Sequence, residues 1–213
     1  MMYVPTHFDE SRPEILQQLI DARPLGTLIT LGAAGLNANH IPFEYEADPG
    51  GLGTLRGHVA RANPVWRDHS KAIDALVIFH GPSSYISPSW YPTKATTGEV
   101  VPTYNYTVVH AYGPLRIIDD PTWLRRLVSQ LTFRFEANVD QPWKISDAPE
   151  SFIAKQLQAI VGIEIAVSKL LGKWKISQNR PAVDRASVAT ELSKSSDADS
   201  SAIAEMIRDW SKT

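Results

Sequence analysis

The sequence predicts a mainly β protein of the α+β class, an antiparallel barrel of six or more strands with peripheral helices. About six or seven segments are short and rich in β-branched or aromatic residues, and turns containing glycine or proline separate them. Few helical segments lie between these segments, whereas a doubly wound parallel sheet needs a helix after each strand. The length of 213 residues fits one domain, with room for a small appendage.

The N-terminal part predicts one helix followed by a β-hairpin. Apolar residues recur with the helical period between positions 15 and 20, and Pro24 ends that pattern. Two β-rich segments, 25–31 and 36–45, flank a short gap with a glycine at each end, which is typical of a hairpin. Pro42 lies within the second segment, so we expect an edge or a bulge there.

The next part of the chain joins apolar strands to polar and aromatic segments. Residues 54–60 alternate between the two faces of a strand, and Asn63-Pro64 is typical of the start of a short helix. Residues 76–79 form an apolar strand that we expect to break at His80-Gly81-Pro82. Positions 83–91 then read SSYISPSWY. Small-molecule sites offer this mixture of flat rings and polar groups, but a barrel strand followed by a rigid loop has the same composition.

The remaining part predicts further strands, four helices and a second polar cluster. Residues 92–101 are interpreted as a flexible loop, and a bend at Leu170-Leu171-Gly172 precedes the segment KWKISQNRP at 173–181. We expect a barrel domain over residues 1–180, with helices inserted, and a helical extension over 181–213. The other predicted elements are a strand at 102–119 bent at Gly113-Pro114, helices that begin at Asp120-Pro121 and Pro149, a half-buried strand at 161–167, and helices at 183–192 and 203–210.

Composition limits the classes of function. The formal net charge of -2 gives no electrostatic reason to expect strong binding to nucleic acid or to an anionic membrane. The chain has no cysteine, which excludes disulfides, thiolate nucleophiles and cysteine-ligated metal sites. The N-terminal segment does not read as a signal peptide, and no apolar stretch reaches the ~18–20 residues of a membrane span. We therefore expect a cytoplasmic protein without a membrane partner.

No motif for catalysis by side chains alone is present. The six histidines show none of the helical spacings used for metal binding, although ligands from separate strands could still assemble. The chain has no nucleophile-elbow serine, and the glycines at 50–53 match neither a P-loop nor a dinucleotide fingerprint. A pocket whose bound cofactor performs the chemistry is the remaining interpretation.

Two polar clusters are candidates for that pocket. The first follows the strand at 54–60, and arginine in such a cluster offers a planar fork that matches phosphate oxygens. The alternative for this cluster is a solvated strand edge with an ordinary helix cap. The second cluster lies in the segment 173–181, and its alternative is a solvated turn. The residues of the first cluster are Arg56, His58, Arg61 and Asn63, and those of the second are Lys173, Lys175, Gln178, Asn179 and Arg180.

Four segments in order, GHVARANPVW, IFHGPSSYISPSWY, VPTYNYTVVHAYG and GKWKISQNR, resemble the PaiB-type FMN-binding negative transcriptional regulators, as does the opening MYVPTHF. The resemblance extends from Met2 to about Arg180. It implies an FMN-binding split β-barrel of the antiparallel Greek-key kind, and a homodimer with the flavin near the subunit interface. Tyr104 departs from the pattern, because the family more often has tryptophan there.

The resemblance also implies roles for individual residues. Arg61 and Asn63, with Arg56 and His58 nearby, would hold the phosphate or the ribityl chain. The second cluster would either stabilise the N1–C2=O edge of the flavin or contact the partner subunit, since a positive group at that edge stabilises the reduced, anionic flavin. The residues expected to enclose the isoalloxazine are Tyr85, Ser87, Trp90 and Tyr91, and those expected to approach it across the dimer are Thr103, Asn105 and His110.

Three functions follow from this resemblance. The first is a flavin reductase or another FMN-dependent oxidoreductase, with NAD(P)H or another electron donor as its partner. The second is a regulator that acts without flavin turnover; direct contact with DNA is one route to that output, but the net charge does not support it. The third keeps the barrel and exchanges FMN for haem, with His40, His58 or His110 as the candidate ligand.

Overall fold

Residues 2–210 of the chain are described by a computed structural model. The strands in this part of the chain are β1 (Asp9–Glu10), β2 (Leu25–Gly32), β3 (Gly35–Pro42), β4 (Glu44–Glu46), β5 (Thr54–Ala60), β6 (Ala75–Ile86), β7 (Thr103–Gly113), β8 (Leu115–Ile118), β9 (Ile160–Ala166) and β10 (Lys169–Lys175). The helices are α1 (Pro13–Ala22), α2 (Lys94–Thr97), α3 (Pro121–Glu136), α4 (Glu150–Gln158), α5 (Ala182–Leu192) and α6 (Ala198–Trp210).

The strands form two sheets. One has six strands in the order β1-β10-β7-β6-β2-β3, and the other has four in the order β4-β5-β9-β8. The registered strand pairs are antiparallel. This arrangement confirms the predicted α+β split barrel with peripheral helices. No helix within residues 2–210 is long and apolar enough to cross a membrane.

The chain divides into two compact units. Unit 1 contains the described parts of Met1–Leu19, His80–His110 and Leu171–Thr213, and unit 2 contains Ile20–Phe79 and Ala111–Leu170. Each unit takes its residues from separate stretches of the chain, so neighbours within a unit are often far apart in sequence.

Unit 2 contains the predicted hairpin and the whole four-stranded sheet. The hairpin is confirmed: β2 pairs with β3, and Gly32 lies opposite Gly35, whose φ of 112° favours glycine. The segment predicted at 36–45 is divided at Pro42, after which β4 joins the other sheet. The edge or bulge expected at this proline is therefore a change of sheet.

The core of unit 2 lies between its strands and helix α3. Asp120 caps α3 as the sequence predicts, since its carboxylate accepts hydrogen bonds from the backbone of Thr122 and Trp123 at 2.7 and 3.1 Å. The ring of Trp123 then covers Gly162 of β9, where an added Cβ would lie 2.4 Å from the indole. This glycine lets the helix approach the sheet closely.

The break predicted at His80-Gly81-Pro82 is wrong, because β6 continues through these residues to Ile86. Strand β2 pairs only with Leu76–Ile78 of β6, so Pro82 lies beyond that pairing and its missing N–H breaks no bond to β2. One residue later, the backbone N–H of Ser83 donates to the carboxylate of Asp199 at 3.2 Å. Beyond the pairing with β2, the side chain of Asp199 on α6 therefore accepts a hydrogen bond from the backbone of β6.

The bend predicted at Leu170-Leu171-Gly172 is also wrong, because β10 runs unbroken from Lys169 to Lys175. Gly172 pairs with Glu10 of β1. A Cβ at position 172 would lie 2.5 Å from the carbonyl oxygen of Glu10 and 2.3 Å from the side chain of Leu16. The glycine thus permits close approach of the N-terminal segment and does not mark a turn.

Candidate functional site

Residues 83–91, called here the aromatic segment, run from the end of β6 into a short turn that a serine hydroxyl of the segment caps. Ser87 caps a short 3₁₀ turn, Pro88–Trp90, and its Oγ accepts a hydrogen bond from the N–H of Ser89 at 3.2 Å. The turn leaves Trp90 half-buried and turns Tyr91 inward, where only 2% of its surface is exposed. The hydroxyl of Ser87 still has its hydrogen to donate.

Two tyrosines of unit 1 form an exposed pair beside this segment. The rings of Tyr85 and Tyr104 are 5.8 Å apart and meet edge to face at 71°. Their exposed fractions are 47% and 59%, which is high for aromatic side chains in contact. The pair presents flat apolar surface to whatever binds there.

Tyr91 connects the aromatic segment to the cluster after β10. The guanidinium carbon of Arg180 lies 4.8 Å from the centroid of its ring. Burial raises the pKa of the Tyr91 hydroxyl, and the positive charge of Arg180 partly offsets that effect. The hydroxyl is therefore a neutral hydrogen-bonding group at physiological pH.

Lys175 lies at the end of β10, and in the described part of the chain its hydrogen bonds go to neutral oxygens. Its ammonium group donates to the hydroxyl of Thr103 and, at 2.6 Å, to the carbonyl of Tyr104. Burial lowers the pKa of Lys175, and the nearby charges of Lys173 and Arg180 lower it further. A bound anion would reverse part of this shift.

Lys173, 9% exposed, is held by aromatic rings and one carbonyl. It donates to the backbone oxygen of Tyr3 at 3.1 Å, and its nitrogen lies 5.7 and 5.4 Å from the ring centroids of Tyr3 and Tyr106. Lys173, Lys175 and Arg180, called here the cationic trio, make no ion pair among residues 2–210.

A tight turn after β10 fixes the other predicted residues of this cluster. Asn105, 1% exposed, donates to the hydroxyl of Ser177 at 2.9 Å. The side chain of Gln178 bonds the backbone on both sides, accepting from Ile176 and donating to Trp174. Asn179 is exposed. The side-chain amides of Asn105 and Gln178 thus stabilise the turn through hydrogen bonds.

The first predicted cluster lies in unit 2, where both arginines have carboxylate partners. Arg56 pairs with Glu164 at 2.9 Å and with Glu46, and these hydrogen bonds outweigh burial and raise its pKa. Arg61 forms two hydrogen bonds with the carboxylate of Asp119, at 2.8 and 2.5 Å, and donates to two backbone carbonyls. A phosphate at either arginine would have to displace a carboxylate.

His58 and Asn63 point to different neighbours. Burial lowers the pKa of His58, and its buried Nδ1 has no hydrogen-bond partner among the described residues. The imidazole lines a cavity of about 320 Å³ with Pro42 and side chains of α3. Asn63 caps the turn Pro64–Trp66 and donates to the side chain of Asn39. A phosphate role for these residues stays a prediction.

The histidines considered as haem ligands have different environments. His40 is exposed on β3 of unit 2, and His58 and His110 are partly buried. Burial lowers the pKa of His110, and the nearby His80 lowers it further. Within residues 2–210, no group of three or more His, Asp or Glu residues is placed to hold a metal ion.

Two buried polar residues of unit 1 were not singled out from the sequence. Ser177 is 4% exposed and has a φ of 68°, which is rare for a residue other than glycine. Asp184 is completely buried in the first turn of α5. An acidic residue three positions after Pro181 predicts a helix start, but nothing in the sequence indicates burial.

Unit 1 also contains a cavity of about 660 Å³, but its chemistry does not suit FMN. Gln178 is the predicted residue that lines it. Asp9, Glu10 and Asp209 line it too, against one arginine, Arg12. Glu10 already holds Arg12 through hydrogen bonds of 2.9 and 2.6 Å. Such an acidic lining repels a phosphate.

The aromatic and cationic residues of unit 1 fit FMN better. FMN combines a flat tricyclic ring, which aromatic side chains can cover, with a phosphate that needs positive charge. Tyr85, Trp90 and Tyr91 supply rings, and the cationic trio supplies charge that no carboxylate within residues 2–210 pairs with. The donor set of unit 1 therefore matches both parts of this ligand.

Comparison with known proteins gives two close relatives in sequence. The chain is 36% identical over 219 residues to an uncharacterised protein of Emericella nidulans, covering 86% of this chain and 87% of the relative. It is 30% identical over 208 residues to the "Protease synthase and sporulation protein PAI 2" of Bacillus subtilis, covering 98% and 97%. Both alignments extend over nearly the whole of each protein.

Among solved structures, the flavocytochrome Anf3 from Azotobacter vinelandii has a similar fold. The TM-score is 0.58 at 12% identity, covering 81% of this chain and 72% of that one. The family described as "Putative FMN-binding domain" matches residues 2–169. These matches confirm the predicted relationship to the PaiB type and the prediction of FMN as the cofactor: the protein belongs to the FMN-binding domain family.

Proposed function

We propose that the protein binds FMN through the aromatic segment and the cationic trio of unit 1, and that it acts as a flavin-dependent redox or redox-sensing protein. One observation carries the proposal: the three cations of the trio have no carboxylate partner among residues 2–210, and two of them, Lys173 and Arg180, lie beside aromatic rings. Uncompensated positive charge in a partly buried place favours an anionic ligand. The family supplies the identity of that ligand.

In this proposal the cationic trio faces the phosphate of FMN. A lysine ammonium has three hydrogens, and Lys175 directs two of them at Thr103 and Tyr104, which leaves one for a ligand oxygen. Arg180 contacts Tyr91 and makes no ion pair among residues 2–210, so donors of its guanidinium are left for a phosphate. The alternative place for the phosphate is at Arg56 and Arg61, and it requires breaking their ion pairs.

The aromatic residues would cover the isoalloxazine. Tyr85 and Trp90 have accessible ring surface, and the buried Tyr91 anchors the aromatic segment to unit 1. The hydroxyl of Ser87 can donate to a ring carbonyl while its oxygen accepts from Ser89. When bound, FMN supplies one- or two-electron transfer, and these side chains would hold its ring and limit access of water.

A homodimer is part of the proposal. The exposed rings of Tyr85 and Tyr104 and the exposed Val101 form apolar surface that a second copy of the chain would cover. Analytical ultracentrifugation with and without FMN tests this point. A monomer at micromolar concentration in both states would contradict it.

The central experiment is titration of the ligand-free protein with FMN, followed by flavin fluorescence and visible absorbance. We expect saturable binding of one FMN per chain, and reduction of the bound flavin by NAD(P)H or dithionite under anaerobic conditions. Absence of saturable binding would overturn the proposal. Haem is titrated in parallel, and a Soret band in place of FMN saturation would assign the pocket to haem.

A regulatory output is the second candidate, and the relative named for protease synthesis and sporulation favours it. Substitutions in the cationic trio would then alter a redox signal and not a turnover rate. If the protein contacts DNA directly, binding should weaken steeply with salt because phosphate contacts release counterions. A gel-shift assay at low salt without any shift favours indirect regulation.

A further inference from the structure

The geometry points to Asp184 as a positioning residue of the cofactor site, acting through Thr93 on the aromatic segment. This inference rests on the proposed function, since it concerns the same site. Among residues 2–210, the hydrogen bonds of the Asp184 side chain go to Thr93, and Asp184 makes no ion pair with the cationic trio. Its effect on a ligand would therefore be transmitted by the backbone between Tyr91 and Thr93.

Both carboxylate oxygens of Asp184 are used by one residue. The hydroxyl of Thr93 donates to Oδ2 at 2.7 Å, and the backbone N–H of Thr93 donates to Oδ1 at 3.2 Å. Asp184 is 0% exposed. A buried carboxylate without partners is strongly unfavourable, so these two bonds are a firm attachment.

The position of Asp184 at the start of its helix stabilises the negative charge of the carboxylate. It lies in the first turn of α5, where the unpaired N–H groups and the helix dipole favour a negative side chain. An asparagine there could accept from the N–H of Thr93 and donate to its hydroxyl, but these bonds would be neutral and the favourable interaction of the charge with the helix N-terminus would be lost. The carboxylate therefore makes the stronger attachment.

Thr93 is the attachment point of the segment that follows the aromatic residues. The hydroxyls of Thr96 and Thr97 both donate to its carbonyl oxygen, at 2.9 and 3.2 Å. Residues 94–99, which include the four-residue helix α2, are all exposed. The bonds from Thr93 to Asp184 are therefore the buried contact that fixes this segment to the helices of unit 1.

A second contact links the same two parts of unit 1. Arg180 lies over the ring of Tyr91, and its backbone oxygen accepts a hydrogen bond from Arg185 at 2.7 Å. Arg180, just before α5, and Asp184, in its first turn, therefore hold the chain at residues 91 and 93. Both anchors come from beyond residue 169, where the family match ends. The C-terminal segment would then supply the cationic trio and also hold the aromatic part of the pocket, whose residues lie within the match.

The experiment uses the full chain with Thr93→Val, Asp184→Asn and the double variant. Thr190→Val is the matched control on α5, because its hydroxyl is exposed and bonds only within the helix. Asp140→Asn, at an exposed aspartate, is the second control. Hydrogen exchange of residues 92–101 is measured in the ligand-free protein, and FMN dissociation constants are measured by flavin fluorescence.

We expect exchange of residues 92–101 to rise about tenfold in Thr93→Val and in Asp184→Asn, since each loses a bond to a charged group. FMN affinity should fall about three- to tenfold in both, and the double variant should be no worse than the worse single variant. Both controls should match the wild type.

Unchanged exchange in Thr93→Val and Asp184→Asn would overturn the inference, and so would fully additive effects in the double variant. Thr93→Val keeps the volume of the side chain, so it remains informative if Asp184→Asn fails to fold. The exchange measurement needs no ligand. A wild-type protein that does not bind FMN therefore overturns the proposed function separately from the attachment between Thr93 and Asp184.

Discussion

The guanidinium carbon of Arg180 lies 4.8 Å from the ring centroid of Tyr91, and the ring is 98% shielded from solvent. The pair joins the two sequence motifs that carry most of the candidate site, since Tyr91 ends the aromatic segment and Arg180 ends the basic one. A cation over a desolvated aromatic face contributes more than one at an exposed ring. The contact therefore has consequences for both stability and ligand binding.

Removing this contact is expected to destabilise the protein. Arg180→Ala should lower the free energy of unfolding by about 1–2 kcal/mol, because the ring loses its cation and the aliphatic stem that covers it. Arg67→Ala is the matched control: Arg67 lies 4.1 Å over the ring of Trp66 but is itself exposed. Urea denaturation should show a loss below about 1 kcal/mol there. Equal losses at both positions would contradict the argument.

The place of the phosphate can be tested by comparing FMN with riboflavin, which lacks it. Lys175→Met should weaken FMN binding about tenfold, equivalent to ~1.4 kcal/mol, and change riboflavin binding little. Arg61→Met should change neither by more than about threefold, because Arg61 already pairs with Asp119. Fluorescence titration measures all four constants, with Lys155→Met, at an exposed lysine of α4, as the control.

The opposite pattern would move the phosphate to the first predicted cluster. A tenfold loss of FMN affinity in Arg61→Met, with Lys175→Met unaffected, would mean that the ligand displaces Asp119. Equal loss of FMN and riboflavin in Lys175→Met would place Lys175 at the ring and not at the phosphate. Each result assigns the charge to one part of the ligand.

Local rules in the sequence predict much of the fold. The hairpin at Gly32 and Gly35, the cap at Asp120 and the division at Pro114 all depend on residues close together in the chain, and all are present. The two errors concern glycines, Gly81 and Gly172, that were interpreted as breaks. Both lie in strands, where the missing side chain makes room for residues from distant parts of the sequence.

The candidate site is less predictable because its charges are set by distant partners. In the sequence, Arg56 and Arg61 resemble phosphate-binding arginines, but they pair with Glu164 and Asp119, which lie 108 and 58 residues away. In the sequence, the segment with Lys175 and Arg180 could equally be a solvated turn. In the structure, neither cation pairs with a carboxylate within residues 2–210, so their charge stays available to a ligand. Composition identifies candidate charges, and only three-dimensional packing decides which of them are neutralised.

The close approach at Gly81 makes a prediction about the strand that leads into the aromatic segment. A Cβ at this position would lie 2.0 Å from Oγ1 of Thr107 and 2.7 Å from the side chain of Leu19. Gly81→Ala should therefore lower the free energy of unfolding by about 2 kcal/mol or more. The Thr107 hydroxyl is buried and has no hydrogen-bond partner among residues 2–210, so Thr107→Ala alone should cost only about 1 kcal/mol.

The double variant distinguishes this clash from a general effect of alanine. Gly81→Ala with Thr107→Ala should be more stable than the sum of the single losses predicts, by about 1 kcal/mol or more. Gly51→Ala is the control, because Gly51 is exposed and its neighbour is the flexible side chain of Asp48. Strict additivity in urea denaturation would show that Thr107 is not what excludes the methyl group.

His58 is expected to make stability depend on pH. Burial lowers its pKa below the ordinary value of 6.5, so the folded protein resists protonation at a pH where the unfolded chain accepts a proton. The unfolded state then binds more protons, and the free energy of unfolding must fall as pH decreases below about 6.5. For one proton this slope cannot exceed about 1.4 kcal/mol per pH unit.

Replacing His58 by glutamine should remove this part of the pH dependence. Urea denaturation of His58→Gln at pH 7.5 and 5.5 should give free energies closer together than those of the wild type, whatever the packing loss at pH 7.5. His7→Gln is the control, because His7 is exposed. If His58→Gln lost as much stability between the two pH values as the wild type, the buried imidazole would not be the group that titrates. The acid sensitivity would then belong to another group, such as His110, whose pKa is also lowered by burial.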